Sequence, residues 1–285
     1  MIMRPLAILL LTCTGLTSLW ADIAPLNIIS YNIRQDTAAD QGPRDWQQRK
    51  GMVTGYLRDN KASIIGLQEV RHKQLLDIAK ALPDHSQIGV GREDGKTRGE
   101  YSPIFYNRKT WKLDQKEHGT FWLSDTPDVP NSRTWGNSYT RICTWARLIK
   151  LTGPEKGNAL YIYNTHWDHR SQPARLKSGE LILKTIKARR HQQEPFILMG
   201  DFNAHTDNPA VQQLLASGML TDHGKRQSST YSQWKPALAP GLRIDHIFTS
   251  VSIKNGRFNI DINPGVQGHA ASDHHPVRLS IPALP

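Results

Sequence analysis

Residues 196–203 read FILMGDFN: an apolar run, a glycine, then Asp201 and Asn203 two positions apart. A short apolar run closed by turn residues is the pattern of a strand buried on both faces. Its polar tail marks where that strand meets solvent. On extended backbone, residues two apart point to the same side, so carboxylate and amide are expected to face one centre. A carboxylate so placed can take a proton from water while the amide donates to the same reacting group.

Outward from this stretch the same design recurs. IISYNI carries Asn32, IIGLQEV carries Glu69, YIYNTHWDH carries His166 and Asp168, RIDHIF carries Asp245, and SDHHPV carries Asp273 and His274. A lone Glu after a strand is ordinarily a solvated turn residue, and a lone Asp ordinarily a cap. Six such segments in one chain point instead to a hydrolytic site at one end of a sheet. Glu69, Asn32 and Asp273 offer the oxygen ligands that Mg²⁺ prefers. Asp245 suits an orienting carboxylate for an imidazole such as His274. His166 and His169, three apart on a strand, are expected on opposite faces, which argues against a compact zinc site. HExxH, paired cysteines, a GxSxG elbow and a phosphate-binding Walker loop are all missing from the sequence.

The whole chain narrows the setting. Met1–Ala21 reads as a secretory signal, with Arg4 before the apolar Leu6–Leu11 and a cleavage site before Asp22. Export to periplasm or medium is therefore expected, with residues 22–285 as a single domain. The apolar stretch is too short to span a bilayer, so no stable membrane anchor is expected. The Gly119–Tyr139 loop does carry Phe121, Trp122 and Trp135, but no apolar docking hairpin. Cys13 falls inside the signal, leaving Cys143 without an internal partner, so the core must hold the fold. A formal charge of +11 steers polyanions. Arg34, Arg44, Arg98, Trp46 and Trp167 would suit a nucleic acid. A monomer is expected.

Periodicity predicts strands over 26–33, 63–67, 102–106, 120–123, 196–199, 244–249, 251–253, 258–262 and 277–281. It predicts a hairpin from 141–151 and 159–165, and helices over 45–60, 72–82 and 171–190, with a short one capped by Asn208-Pro209. Alternating strands and helices suggest a doubly wound parallel sheet, whereas the hairpins suggest a mixed one. Pattern alone leaves that choice open.

The ordered set of Asn32, QEV at Glu69, NTH at His166, GDFN at Asp201 and Asn203, and SDHHP at Asp273 and His274 resembles the endonuclease/exonuclease/phosphatase superfamily. That group includes DNase I-like nucleases, sphingomyelinases and inositol polyphosphate phosphatases. YNIR, GPRDWQQRK, GEYSPIFY, FWLSDTPDVP and HWDH resemble an exported bacterial branch of it. The resemblance implies a four-layer α/β sandwich, two mixed and mainly antiparallel sheets face to face with helices outside. It implies Mg²⁺ or Mn²⁺ on Asn32, Glu69 and Asp273, with Asp201 activating water and Asn203 steadying phosphoryl oxygens. His274 would pair with Asp245 and His166 with Glu100, both contacting the phosphate. Tyr101, Arg141, Arg175 and Asp168 are further substrate-side residues. The expected activity is in-line hydrolysis of a phosphoester, foremost nucleic acid. The alternatives are phosphomonoesters of sugars or inositol, or a sphingomyelinase-like lipid diester. A binding module without catalysis fits poorly, because every expected catalytic position is filled.

Overall fold

A computed structural model describes residues 25–224 and 228–285. The expected signal segment, with Cys13, lies outside them. Two six-stranded sheets form the centre. The first contains β1 (Leu26–Asn32), β2 (Ile64–Gln68), β3 (His85–Ile88), β4 (Ile104–Asn107), β11 (Arg257–Ile260) and β12 (Val277–Ile281), in the order β11-β12-β1-β2-β4-β3. The second contains β5 (Trp111–Trp122), β6 (Ile142–Lys150), β7 (Ala159–His166), β8 (Phe196–Asp201), β9 (Leu220–Asp222) and β10 (Asp245–Ser250), in the order β5-β6-β7-β8-β10-β9.

Each sheet has one parallel pair, β1 with β2 and β7 with β8, and its other pairs are antiparallel. The helices α1 (Trp46–Asp59) and α3 (Gln172–Ala188) are the crossovers of those two pairs. Parallel neighbours require such a crossover, so both readings of the pattern hold locally. The doubly wound alternative fails because every other pair of neighbouring strands is antiparallel.

The layers follow from strand parity. On β1, Leu26 and Ile28 face the other sheet; with Ile64 of β2 they pack against Leu148, Leu160, Ile162, Ile197, Met199 and Ile247 there. The alternate residues Ile29 and Tyr31 face outward onto Trp46, Val53 and Leu57 of α1 and Leu75 and Ile78 of α2 (His72–Ala81). Tyr161, Tyr163, Phe196 and Leu198 likewise meet Ile182 and Ile186 of α3 and Leu214 of α4 (Pro209–Ala216). Helices, sheet, sheet, helices: the expected four-layer sandwich is the observed one.

The caps agree with the sequence. Asp45 accepts from Gln47 N–H to open α1, Ser171 from Ala174 N–H to open α3, and Asn208 from Ala210 N–H to open α4. Glycine is required where sheets or strands come closest. A Cβ on Gly66 would lie 2.5 Å from Met199 Cε across the sandwich, and one on Gly200 (φ 148°) would lie 2.0 Å from Thr165 O on β7. Near the site the interior turns polar. Gln68 donates to Ser30 Oγ and Asn164 Oδ1, while Asn164 donates to the carbonyls of Leu67 and Pro103, tying the two sheets together.

Three local expectations are corrected. Residues 251–253 form a turn, because β10 ends at Ser250 and the chain reverses there. The strand expected at 120–123 is the end of the much longer β5, whose first half is largely polar. Trp46 and Trp167 are buried core residues, as are Phe121, Trp122 and Trp135, so none offers a ring to a polymer or a lipid surface. No helix among the described residues is long and apolar enough to cross a membrane.

Candidate active site

Strand parity assembles the site. Asn32 shares the inward parity of Ile28 on β1, His166 that of Ile162 on β7, Asp201 that of Met199 on β8, and Asp245 that of Ile247 on β10. Across the second sheet, His166 pairs in register with Asp201, and Asp201 with Asp245, so three side chains leave one rung on the same face. His166 and Asp201 line a cavity of about 510 Å³ where the intersheet core ends, and Asp245 is fully buried beside them.

Three residues at this cavity hold left-handed backbone: Arg34 (φ 58°), Glu69 (φ 60°) and Asn203 (φ 47°). A strand's alternation would send Glu69 outward after the inward Gln68, and the left-handed turn brings it back. Such conformations strain residues other than glycine and are tolerated where the surroundings over-determine them. Asn203 also departs from the extended geometry expected of it. Its N–H donates to Asp201 Oδ1 at 2.9 Å, so a turn, not strand alternation, puts the two side chains together.

Asn32 links the halves. Its amide donates to Glu69 Oε1 at 3.1 Å and to Asp201 Oδ2 at 3.0 Å, and its own Oδ1 accepts from Arg34 N–H. It therefore orients two carboxylates. Buried Glu69 and Asp273 converge on Arg34 Nη1, at 4.0 and 3.8 Å. Neither reaches hydrogen-bond distance of that nitrogen, and Arg34 is committed to Asp40 at 2.7 Å. Two carboxylates facing one point, with no cation at hydrogen-bond distance, fit a hard divalent ion that keeps waters of its own.

Asp201, Asp245 and His274 also bring ligand atoms within 4.8 Å of one another. Here the hydrogen bond between His274 Nδ1 and Asp245 Oδ2, 2.9 Å, decides the reading. Burial disfavours the His274 imidazolium, yet the charges of Asp245 and Asp201 and the Asp245 bond outweigh it and hold the pKa well above the ordinary value. With Nδ1 bonded to Asp245 and Nε2 3.7 Å from Asp201, the trio is arranged as an acid–base group.

His166 is pushed the opposite way. Burial, then the Arg141 and Arg92 charges, place its pKa well below normal and keep it neutral. Its Nε2 lies 3.4 Å from Asp201 Oδ2, and His274 Nε2 lies 3.7 Å from the same oxygen. Burial raises the Asp201 carboxyl to about 7, with the His274 charge opposing. Titratable neighbours driven apart in this way mark acid and base partners.

The expected His166–Glu100 pair is within ion-pair reach but beyond a hydrogen bond. Glu100 Oε2 lies 3.9 Å from His166 Nδ1, whereas Glu100 takes both prongs of Arg92 at 2.8 Å. Among the other expected substrate-side residues, Arg141 lines the cavity but Tyr101, Arg175 and Asp168 do not. The Tyr101 hydroxyl donates to Lys96 O, and Arg175 binds Gln172 Oε1 and Asp168 O. Asp168 accepts from the backbone N–H groups of Ser138, Arg170 and Ser171.

Sequence reasoning assigned no role to His169, Arg71, Arg92, Tyr139 or Tyr231, all of which line the cavity. The expected opposition of His166 and His169 does not hold, because β7 ends at His166 and the chain turns. Arg49 was missed too. Fully buried, it donates to the carbonyls of Ile33, Arg34, Gln35, Arg44 and Ala271, fixing the loop that carries Arg34. Its place in the GPRDWQQRK segment was the available signal.

The chain matches the Endonuclease/Exonuclease/phosphatase family over residues 29–274. It belongs to that family. A family protein of known structure from Bacteroides thetaiotaomicron is 31% identical with a TM-score of 0.80, covering 90% of this chain and 97% of its own. A mannosyl-6-phosphatase from the same organism is 32% identical with a TM-score of 0.79, covering 89% and 98%. A Bacteroides vulgatus member is 29% identical with a TM-score of 0.79, covering 92% and 99%. Family enzymes are phosphoester hydrolases that generally use divalent metals.

Proposed function

We propose that this phosphoesterase is a phosphomonoesterase acting on a phosphorylated sugar. The observation that carries the reading is Arg141. Its guanidinium is buried at the cavity wall, and neither Nε nor Nη1 has a hydrogen-bond partner. A buried cation with free donors is costly unless an anion completes it. Arg71 lines the same cavity, as do Arg34 and Arg92, which are ion-paired to Asp40 and Glu100. The likeness to the mannosyl-6-phosphatase supports this choice.

In this reading Asp201 accepts the proton of a water attacking phosphorus in line as the P–O bond to the sugar breaks and the departing alkoxide takes a proton from solvent, and Asn32 holds that carboxylate in place. His166 and Asn203 face the same centre. His274, kept protonated by Asp245, donates to the phosphoryl oxygens as charge spreads onto them. Glu69 and Asp273 would hold the divalent cation, which supplies further stabilisation of that charge when bound. Export, drawn from residues 1–21, belongs to the same reading.

A nuclease is the second reading, favoured by the +11 charge. The test is hydrolysis of hexose phosphates, plasmid and RNA by purified protein with Mg²⁺, Mn²⁺ or EDTA, beside Asp201→Ala. Metal-dependent phosphate release from sugars, with polymers intact and activity lost in the variant, establishes the phosphatase. Cleavage of plasmid or RNA without sugar turnover overturns it in favour of the nuclease.

A further inference from the structure

Beside the phosphate-facing arginines lies an aromatic feature the hydrolytic chemistry does not use. Tyr139 is 53% exposed and Tyr231 is 45% exposed, yet both line the cavity. The Tyr139 ring stacks on His169, centroids 5.8 Å apart and planes 23° apart, and the Arg92 guanidinium sits 5.7 Å from its centroid. His169 Nδ1 in turn lies 3.4 Å from Arg141 Nη2. One stacked pair thus connects the rim to the guanidinium with free donors.

This rim is built, not a chance of side-chain position. Tyr139 belongs to the segment after β5, and His169 to the turn between β7 and α3. Asp168 joins them: Oδ2 accepts from Ser138 N–H at 2.9 Å and Tyr139 N–H at 3.4 Å, while Oδ1 accepts from Arg170 N–H at 2.9 Å and Ser171 N–H at 2.8 Å. Ser171 Oγ also donates to Trp135 O, and Trp135 Nε1 to Asp125 Oδ1. A carboxylate accepting several backbone N–H groups is a strong organiser of loops.

We propose that the Tyr139–His169 pair is the subsite for the sugar ring of the leaving group, with Asp168 as its positioning residue. The proposal rests on the phosphomonoesterase reading and adds to it where the organic part of the substrate sits. A half-exposed aromatic ring at the cavity rim, flanked by hydrogen-bonding groups, matches a sugar, which presents apolar C–H faces edged by hydroxyls. Inorganic phosphate has no such face and reaches only the arginines and histidines below.

The two subsites are separated by comparing KM for a hexose 6-phosphate with Ki for inorganic phosphate, using the full mature chain with Mg²⁺. Tyr139→Ala is expected to raise KM by about threefold to tenfold with Ki for phosphate unchanged. Asp168→Asn is expected to raise KM as well, and to add little when combined with Tyr139→Ala. A purely structural role for Asp168 would lower the melting temperature and apparent kcat while leaving KM in place. If wild type turns over hexose phosphates and Tyr139→Ala leaves KM unchanged, or shifts KM and Ki together, the subsite is overturned and the phosphatase stands. Wild type without turnover of any sugar phosphate overturns both.

Discussion

Asp245 Oδ2 accepts a hydrogen bond from His274 Nδ1 at 2.9 Å, and that bond fixes which face of the imidazole the cavity sees. With Nδ1 engaged, Nε2 is left to the cavity, 3.7 Å from Asp201. The same carboxylate supplies much of the charge that keeps the buried imidazole protonated.

Asp245→Asn preserves the shape and removes the charge. Burial then dominates at His274, its pKa falls, and the cavity loses a cationic donor. A fall in kcat of about 10²–10³ is expected, with KM moving much less. Steady-state kinetics at neutral pH check it, and near-wild-type turnover in the folded variant would remove His274 from the donor role.

Asp201 carries a dated signature in stability. Burial raises its carboxyl from 3.8 to about 7, so the native state binds a proton that the unfolded chain releases at lower pH. The group's stabilising contribution is complete below 3.8 and is lost as pH rises through about 7. Asp201→Asn, an uncharged near-isostere, is therefore expected to melt above wild type by a margin that grows from pH 4 to 7 and then levels. Its turnover should nonetheless fall by at least about 10². Melting curves across that pH range decide: a margin that is flat, or shrinks as pH rises, contradicts the raised carboxyl.

Apolar runs ending in polar residues located most of the site because burial and chemistry share those strands. FILMGD, IIGLQ and ALYIYNTH lie wholly in buried strands; the first and last end in the cavity residues Asp201 and His166, and Glu69 directly follows the second. The first half of β5, WKLDQKEHG, and β3, HSQI, were illegible because edge positions lack apolar alternation. Long arginines were illegible for another reason. Arg49 binds carbonyls spread from Ile33 to Ala271, and Arg92 binds a Glu100 assigned on sequence grounds to His166. Parity could have placed Asn32, His166, Asp201 and Asp245 on one face, but which strands pair in which sheet is a tertiary outcome.

Cys143 lies on β6 with no exposed surface, and burial pushes its thiol well above the ordinary range. Only the thiolate attacks alkylating reagents. Native protein should therefore remain unmodified by iodoacetamide at pH 8, while denatured protein is modified at once. Mass spectrometry of the intact chain reads the result. Rapid native labelling would mean that β6 opens locally far more readily than a central strand should.

Glu69 separates backbone strain from chemistry. Its φ of 60° follows directly from the requirement that a residue after the inward Gln68 also face the cavity. An L-residue with a Cβ pays about 1–2 kcal/mol in that region, and glycine does not. Glu69→Ala and Glu69→Gly both lose the hydrogen bonds to Asn32 and Gln35 N–H, so those losses cancel between them. The glycine variant gives back part of that advantage through the greater entropy of its unfolded chain, about 0.5–1 kcal/mol. Glu69→Gly is thus expected to be more stable than Glu69→Ala by up to about 1 kcal/mol, a difference denaturant titration can resolve. Both variants should lose turnover and show weaker divalent-ion binding by calorimetry, since neither retains the carboxylate opposite Asp273. An alanine variant clearly more stable than the glycine one would show that residue 69 is not left-handed in solution, and with it that the carboxylate does not turn into the cavity as described.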